Sequence, residues 1–241
     1  MKRLVVSLLF FGAILTLHAQ DADQWKRASD EYAAGHFREA ADLYQSLAKS
    51  GETSAALFYN LANAEYRLGD LGQAILNYER ALALEPHHPE AEANLRLVRD
   101  KSRALELKRN AFEQFVARGT TTRYSVAAAA AFWIAAFAIT GLFLARRRSA
   151  LLATIAVLAM LTFAGAVYVL YSLRSEQLLA IVTAKSVDAR LATADSAGTV
   201  LALPAGSEVK ILSTRGDWSY AALPNDLRGW IPAKSAELVR L

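Results

Sequence analysis

The sequence predicts a multidomain membrane protein in three parts: an all-α helical repeat, a two-helix transmembrane hairpin and a small all-β domain. Three observations predict it. Several residues recur at one fixed spacing early in the chain. Two long uncharged apolar runs follow, with an arginine cluster between them. Short β-rich runs separated by turn residues then fill the C-terminal part.

Composition conceals this division. The chain is 54% hydrophobic, but the excess is concentrated near residues 4–17, 124–145 and 149–173. Elsewhere it reads as ordinary globular sequence. A net charge of +4 raises nucleic-acid binding as a class. The tight basic cluster, however, is Arg146-Arg147-Arg148, wedged between apolar blocks, where it reads as a topology signal. No nucleic-acid partner is expected. The absence of cysteine excludes disulfides, thiolate nucleophiles and Cys-ligated metals.

Residues 1–19 have the layout of a signal peptide. Met1-Lys2-Arg3 is a positive start, Leu4 to Leu17 is apolar, and Ala19 precedes a possible cut. Leu17 is larger than the cleavage pattern favours, so an uncleaved anchor is the alternative. The run is short for a full span, which favours the signal peptide. Under either reading the following segment is exported.

Residues 21–122 form the repeat. A shift of 34 residues superposes Ala28 on Ala62, Glu31 on Glu65, Tyr32 on Tyr66, Gly35 on Gly69, Ala40 on Ala74 and Tyr44 on Tyr78. That period suits two antiparallel helices per unit. In the second unit a first helix runs from Ser54 to Leu68, Gly69-Asp70 turns, and a second helix runs from Leu71 to Leu84 before Pro86. Ala62 and Ala74 allow a close crossing, and Phe58, Leu61, Tyr78 and Ala81 supply the buried face. From Pro89, a further long helix through Glu92 to about Phe115 is expected to cap the array.

The motif Phe58, Leu61, Ala62, Gly69, Ala74, Tyr78, Ala81 and Pro86 resembles the tetratricopeptide repeat family. The first unit departs from the pattern at Arg27 and Glu52. The resemblance implies binding of a peptide or protein in a concave groove. It places Trp25, Ser29 and Tyr32 on the inner face of one helix and Tyr59, Asn63, Tyr66 and Arg67 on that of the next. The spacing of 59, 63, 66 and 67 does put them on one helix face. Asn63 could bond a peptide backbone and Arg67 a carboxylate. Trp25 and Tyr59 read equally well as ligand anchors or as packing between helices.

Residues 124–173 form the hairpin. Tyr124 to Ala145 and Ser149 to Leu173 each exceed the roughly 20 apolar residues a span needs. The short arginine link forces the two helices antiparallel and places the turn in the cytoplasm. The spans carry no Asp, Glu, Lys or His, which argues against an ion or proton pathway. Gly141 and Gly165 read either as helix-contact positions or as ordinary membrane-helix glycines.

Residues 179–241 predict a small barrel. β-rich runs stand at 180–183, 200–203, 208–212, 218–221 and 229–232, with turns at Pro204-Ala205-Gly206 and Arg215-Gly216-Asp217. Val187-Asp188-Ala189-Arg190, Leu203-Pro204-Ala205-Gly206, Asp217-Trp218 and Gly229-Trp230-Ile231-Pro232 resemble the bacterial SH3-like family. That resemblance implies an SH3-like barrel of five to six strands, binding cell-wall peptides or another protein. Asp188 and Ala189 depart from the family motif. Trp218 and Trp230 read as packing or as ligand contacts.

No catalytic constellation is visible, so no enzyme, cofactor or metal is expected. His87-His88 with Glu90 lacks a third ligand at helical spacing, and phosphate loops and nucleophile elbows are missing. The order of parts resembles the BatE-type proteins of the Bacteroides aerotolerance (Bat) group. That resemblance implies partners among von Willebrand A-domain membrane proteins and a MoxR-type ATPase system, in envelope stress or oxygen tolerance. The expectation is a membrane-anchored adaptor of a bacterial inner (cytoplasmic) membrane, with both soluble domains on the periplasmic side. The alternative is a cell-wall protein whose β domain binds peptidoglycan.

Overall fold

The computed structural model describes residues 22–109, 112, 114, 116, 120–144, 149–176 and 178–240. The predicted signal peptide and Arg146 to Arg148 lie outside them.

The helical array begins with α1 (22–33) and α2 (Phe37–Lys49), followed by α3 (Ala55–Leu68), α4 (Leu71–Leu84) and α5 (Pro89–Ser102). Local chemistry sets the ends. The Ser54 hydroxyl accepts from Leu57 N, and Gly69 closes α3 in the left-handed region at φ 80°. Asp70 caps α4 by accepting from Gln73 N. The paired alanines Ala28, Ala40, Ala62 and Ala74 are all fully buried where helices cross. A larger side chain there would have to displace a neighbouring helix.

The long helix expected through Phe115 ends at Ser102. Arg103 adopts the left-handed region at φ 56°. Leu105 and Leu107 then alternate with Glu106, a strand-like period rather than a helical one. Leu105 packs on the sheet core and Leu107 on the helical core. The segment docks on the sheet: Glu208 N donates to Leu105 O at 2.8 Å, and Leu105 N donates to the Ser207 hydroxyl at 3.1 Å. What covers the end of the array beyond α5 is therefore the β domain.

That domain is one antiparallel sheet of seven strands in the order β3-β2-β6-β5-β4-β1-β7. The strands are β1 (Leu179–Val182), β2 (Ser186–Arg190), β3 (Thr199–Pro204), β4 (Glu208–Arg215), β5 (Trp218–Ala222), β6 (Arg228–Pro232) and β7 (Ala236–Leu238). The sequence reading had no strand at β7, a three-residue edge without a β-branched residue.

Strand β1 explains how sheet and helices join. Leu179 and Ile181 face the helical core with Ile75, Leu76 and Leu95, while Ala180 and Val182 face the sheet core with Val209, Leu223 and Ile231. Alternation with period two thus buries the strand on both sides. Burying Leu179 and Ile181 contributes roughly 1.5–3 kcal/mol each. Contact at this junction is close. A Cβ on Gly72 would lie 2.7 Å from Thr183 O, and one on Gly206 would lie 2.1 Å from Ile75 Cδ1.

A charged cluster crosses the same junction. Arg99 meets Glu79 at 2.5 Å, Glu106 at 3.4 Å, and Glu208, which Arg109 also approaches at 3.6 Å. Leu107 N donates to Glu208 Oε2 at 3.1 Å. Burial pushes the Glu79 carboxyl up from its ordinary range, against the opposing pull of Arg99. Nearby, Gln73 donates to Glu237 at 2.8 Å and Arg80 to Leu238 O at 3.1 Å.

Two further helices, α6 (Thr121–Leu144) and α7 (Ala150–Glu176), lie side by side and are long and apolar enough to cross a membrane. Ala128, Ala131, Ala135 and Ala138 of α6 are buried, as are Ala156, Ala159 and Ala166 of α7. Small side chains let the two backbones approach. Phe132, Phe137, Phe143, Leu158 and Leu161 point outward and are exposed. Such an inside-out distribution fits a hydrocarbon surround.

Candidate peptide-binding groove

The residues expected to line a groove are Trp25, Ser29 and Tyr32 on α1, and Tyr59, Asn63, Tyr66 and Arg67 on α3. All are half-buried except Arg67, which is exposed.

The α1 residues bond back onto α2. The Trp25 and Tyr44 rings meet edge-on at 5.7 Å. The Ser29 hydroxyl lies 3.1 Å from the Tyr44 hydroxyl and also donates to Trp25 O. Tyr32 packs edge-on against Phe37 at 5.3 Å, and the Arg67 guanidinium stacks on the same Phe37 ring at 4.3 Å. Phe37 thus links the α1 residues to α3. This cation–π contact holds the exposed Arg67 guanidinium in place in the free protein.

The α3 residues look toward α5. Tyr59 stacks on His88 at 4.9 Å. His88 also caps α5, its Nδ1 accepting from Ala91 N. The Lys101 ammonium sits 4.7 Å above the Tyr66 ring. Asn63 Oδ1 accepts from the Tyr78 hydroxyl at 2.5 Å and from Asn94 Nδ2 at 3.2 Å. Burial pushes the Tyr44 and Tyr78 phenols above their ordinary range, so both keep their protons at neutral pH.

Each amide thereby uses one of its two polar atoms within the chain. Asn63 Nδ2 and Asn94 Oδ1 are left without a partner among the described residues. One is a donor and the other an acceptor, on adjacent helices, which matches the needs of an extended peptide unit. Beside them Leu97 is 52% exposed. Asn94, Leu97 and Lys101 were missed from sequence. Applying the same 34-residue shift once more does find two of them, since Asn63 falls on Leu97 and Arg67 on Lys101. Asn94 falls on Asn60, which is not among the expected groove residues.

Glu65 occupies the helix-facing side of α3. Its carboxyl is buried and accepts from Asn77 Nδ2 at 2.8 Å. Burial pushes it up to about 8, with the Asn77 bond opposing.

A family model for the tetratricopeptide repeat matches residues 55–88, spanning α3, α4 and the turn after them. None of the curated proteins matches the chain. The repeat supports a protein–protein interaction role.

Proposed function

We propose that the protein is a membrane-anchored envelope adaptor that holds an extended segment of a partner along the inner faces of α1, α3 and α5. The observation that carries this is the unpaired donor and acceptor of Asn63 and Asn94 beside exposed Leu97. A groove used only for packing would cover that leucine; here it stays exposed, and the two amides keep a solvent-accessible donor and acceptor that can meet a peptide backbone. Tyr59, Tyr66 and Arg67 flank the track, with Trp25, Ser29 and Tyr32 extending it.

The two apolar helices fix the adaptor to a membrane. The arginine link between them supports a cytoplasmic turn, with the helical array and the sheet on the periplasmic side of the inner membrane. The sheet is read as an SH3-like module, on the strength of the Asp217-Trp218 hairpin and the Gly229-Trp230-Ile231-Pro232 strand. The resemblance to the Bat group supplies candidate partners, the von Willebrand A-domain membrane proteins, and an aerotolerance setting.

Co-purification from gently solubilised membranes tests this, comparing the intact chain with a double variant, Asn63→Ala plus Arg67→Ala. A defined set of membrane proteins that disappears in the variant is the expected result. An unchanged set would remove the groove from partner binding. A second reading, peptidoglycan binding, draws support from the Tyr220 and Trp230 rings, packed 5.1 Å apart on neighbouring strands. Retention of the chain on isolated cell wall, lost in Trp230→Ala, would favour it.

A further inference from the structure

Two cavities lie where the helix–sheet unit meets the apolar hairpin. The larger, about 490 Å³, is lined by Arg80, Leu82, Pro86, Thr121 and Arg240 among others. The smaller, about 350 Å³, reaches Arg99, Leu173 and Leu179. They share Leu82, Ala83, Pro86, Val239 and Arg240 and form two lobes of one slot.

One wall of the slot is where the hairpin begins and ends. Thr120 to Thr122 open α6, and Leu173 lies near the end of α7. The opposite wall is the end of α4 and the tail Val239-Arg240. The larger lobe has apolar walls, four threonines and two arginines, and no acidic residue lines it. Arg80 is paired with Glu237 at 3.6 Å, whereas Arg240 has no ion pair among the described residues. Arg80 Nε and Arg99 Nε, one in the lining of each lobe, are buried without an acceptor. At the start of α6 the Thr120 hydroxyl already accepts from Arg123 N at 3.3 Å, so the helix end adds little to the lobe beyond its threonines. The carboxylates Glu79 and Glu92 line the smaller lobe, so it is the larger lobe that sets the unpaired Arg240 and the Arg80 Nε donor beside apolar surface.

We propose that the larger lobe holds the phosphate headgroup of one anionic phospholipid, whose acyl chains run down the outer faces of α6 and α7. The inference rests on the membrane reading above. Cations favour an anion, and the lobe opens at the depth where a bilayer places phosphates and acyl chains together. Exposed Leu84, on the same lobe, provides apolar surface for the upper part of a chain. A soluble anion would have no use for that surface. The bound lipid would brace the helix–sheet unit against the hairpin.

The test uses the full chain in mild detergent, with native mass spectrometry during titration of phosphatidylglycerol or phosphatidylcholine. One phosphatidylglycerol should be retained with about fivefold or greater preference. Arg240→Gln should abolish that preference while leaving the thermal midpoint unchanged. Arg123→Gln, outside the cavity lining, should leave the preference intact. Equal retention of the two lipids would overturn the proposal, as would a preference that survives Arg240→Gln. Displacement by millimolar inorganic phosphate would make this a free-anion site and overturn the lipid assignment. Carbonate extraction of native membranes separates the two readings. A released chain sinks the membrane reading, whereas a retained chain without headgroup preference sinks only this inference.

Discussion

The two sides of the helical array use their polar groups in opposite ways. On the side facing the sheet, carboxylates and guanidinium groups are buried in ion pairs with one another, although Arg80 Nε and Arg99 Nε lack acceptors, and two glycines admit close contact. On the groove side, rings and hydroxyls are half-buried, Leu97 is exposed, and an amide donor and acceptor are unmatched. The first side is closed by residues of this chain. The second is finished only as far as holding its own side chains in place. The contrast favours the proposed groove, rather than the junction, as the face for a partner.

The largest expected effect is at the junction. Arg99→Ala would leave Glu79 and Glu208 buried without their shared cation. Breaking such a cluster costs about 3–5 kcal/mol, measurable as a lower thermal midpoint by circular dichroism. A loss below about 1 kcal/mol, the range of exposed pairs, would mean that the helices and sheet do not depend on this contact. Gly72→Val comes next. Its Cβ would meet Thr183 O at 2.7 Å and Thr183 Cα at 2.9 Å, both backbone atoms. Overpacking of this kind costs roughly 1–3 kcal/mol, and it should also expose the 104–109 segment to limited proteolysis. Stability and protease resistance equal to wild type would show a looser junction than the one described.

The sequence made one of the two faces far easier to read than the other. Helices α3 and α4 are bounded by Ser54, Gly69, Asp70 and Pro86, all local signals within one repeat. The hairpin was equally legible, because its apolar runs are uninterrupted. The junction was not. Nothing near Leu179 or Ile181 reveals that both sides of β1 are covered, since a four-residue apolar run looks the same in any buried strand. Arg99, Glu79 and Glu208 are far apart in the chain, so their meeting is purely tertiary. For the proposed groove, periodicity reaches Asn63 and Arg67, but it pairs Asn94 with Asn60 rather than with any of the seven expected residues.

A pH effect of intermediate size sharpens the account of the α3–α4 joint. Glu65 is raised from 4.5 to about 8 in the folded chain. Between those values the folded state binds more protons than the unfolded one, so stability falls as pH rises. The contribution is complete below the ordinary carboxylate range and is lost as pH climbs through the raised value. Glu65→Gln keeps an acceptor for Asn77 and cannot ionise. It should flatten much of the fall in thermal midpoint between pH 5 and pH 8.5, leaving a residue from Glu79, which shifts in the same direction. A wild-type midpoint that does not fall over this range would contradict a buried, raised carboxyl at position 65.

The smallest expected effect on stability belongs to Leu97→Asp, and it divides the two faces most sharply. Leu97 is 52% exposed and belongs to none of the three buried clusters. Its replacement should change stability by no more than about 0.5 kcal/mol, as for other surface positions. A charge there would nevertheless be desolvated beneath any bound segment, next to an amide pair that has to meet a peptide backbone. Partner recovery should therefore collapse while the thermal midpoint holds. Full recovery with Leu97→Asp would show that the exposed leucine is incidental surface. A large loss of stability would show instead that α5 is packed on its groove side as tightly as on its sheet side, erasing the contrast between the two faces.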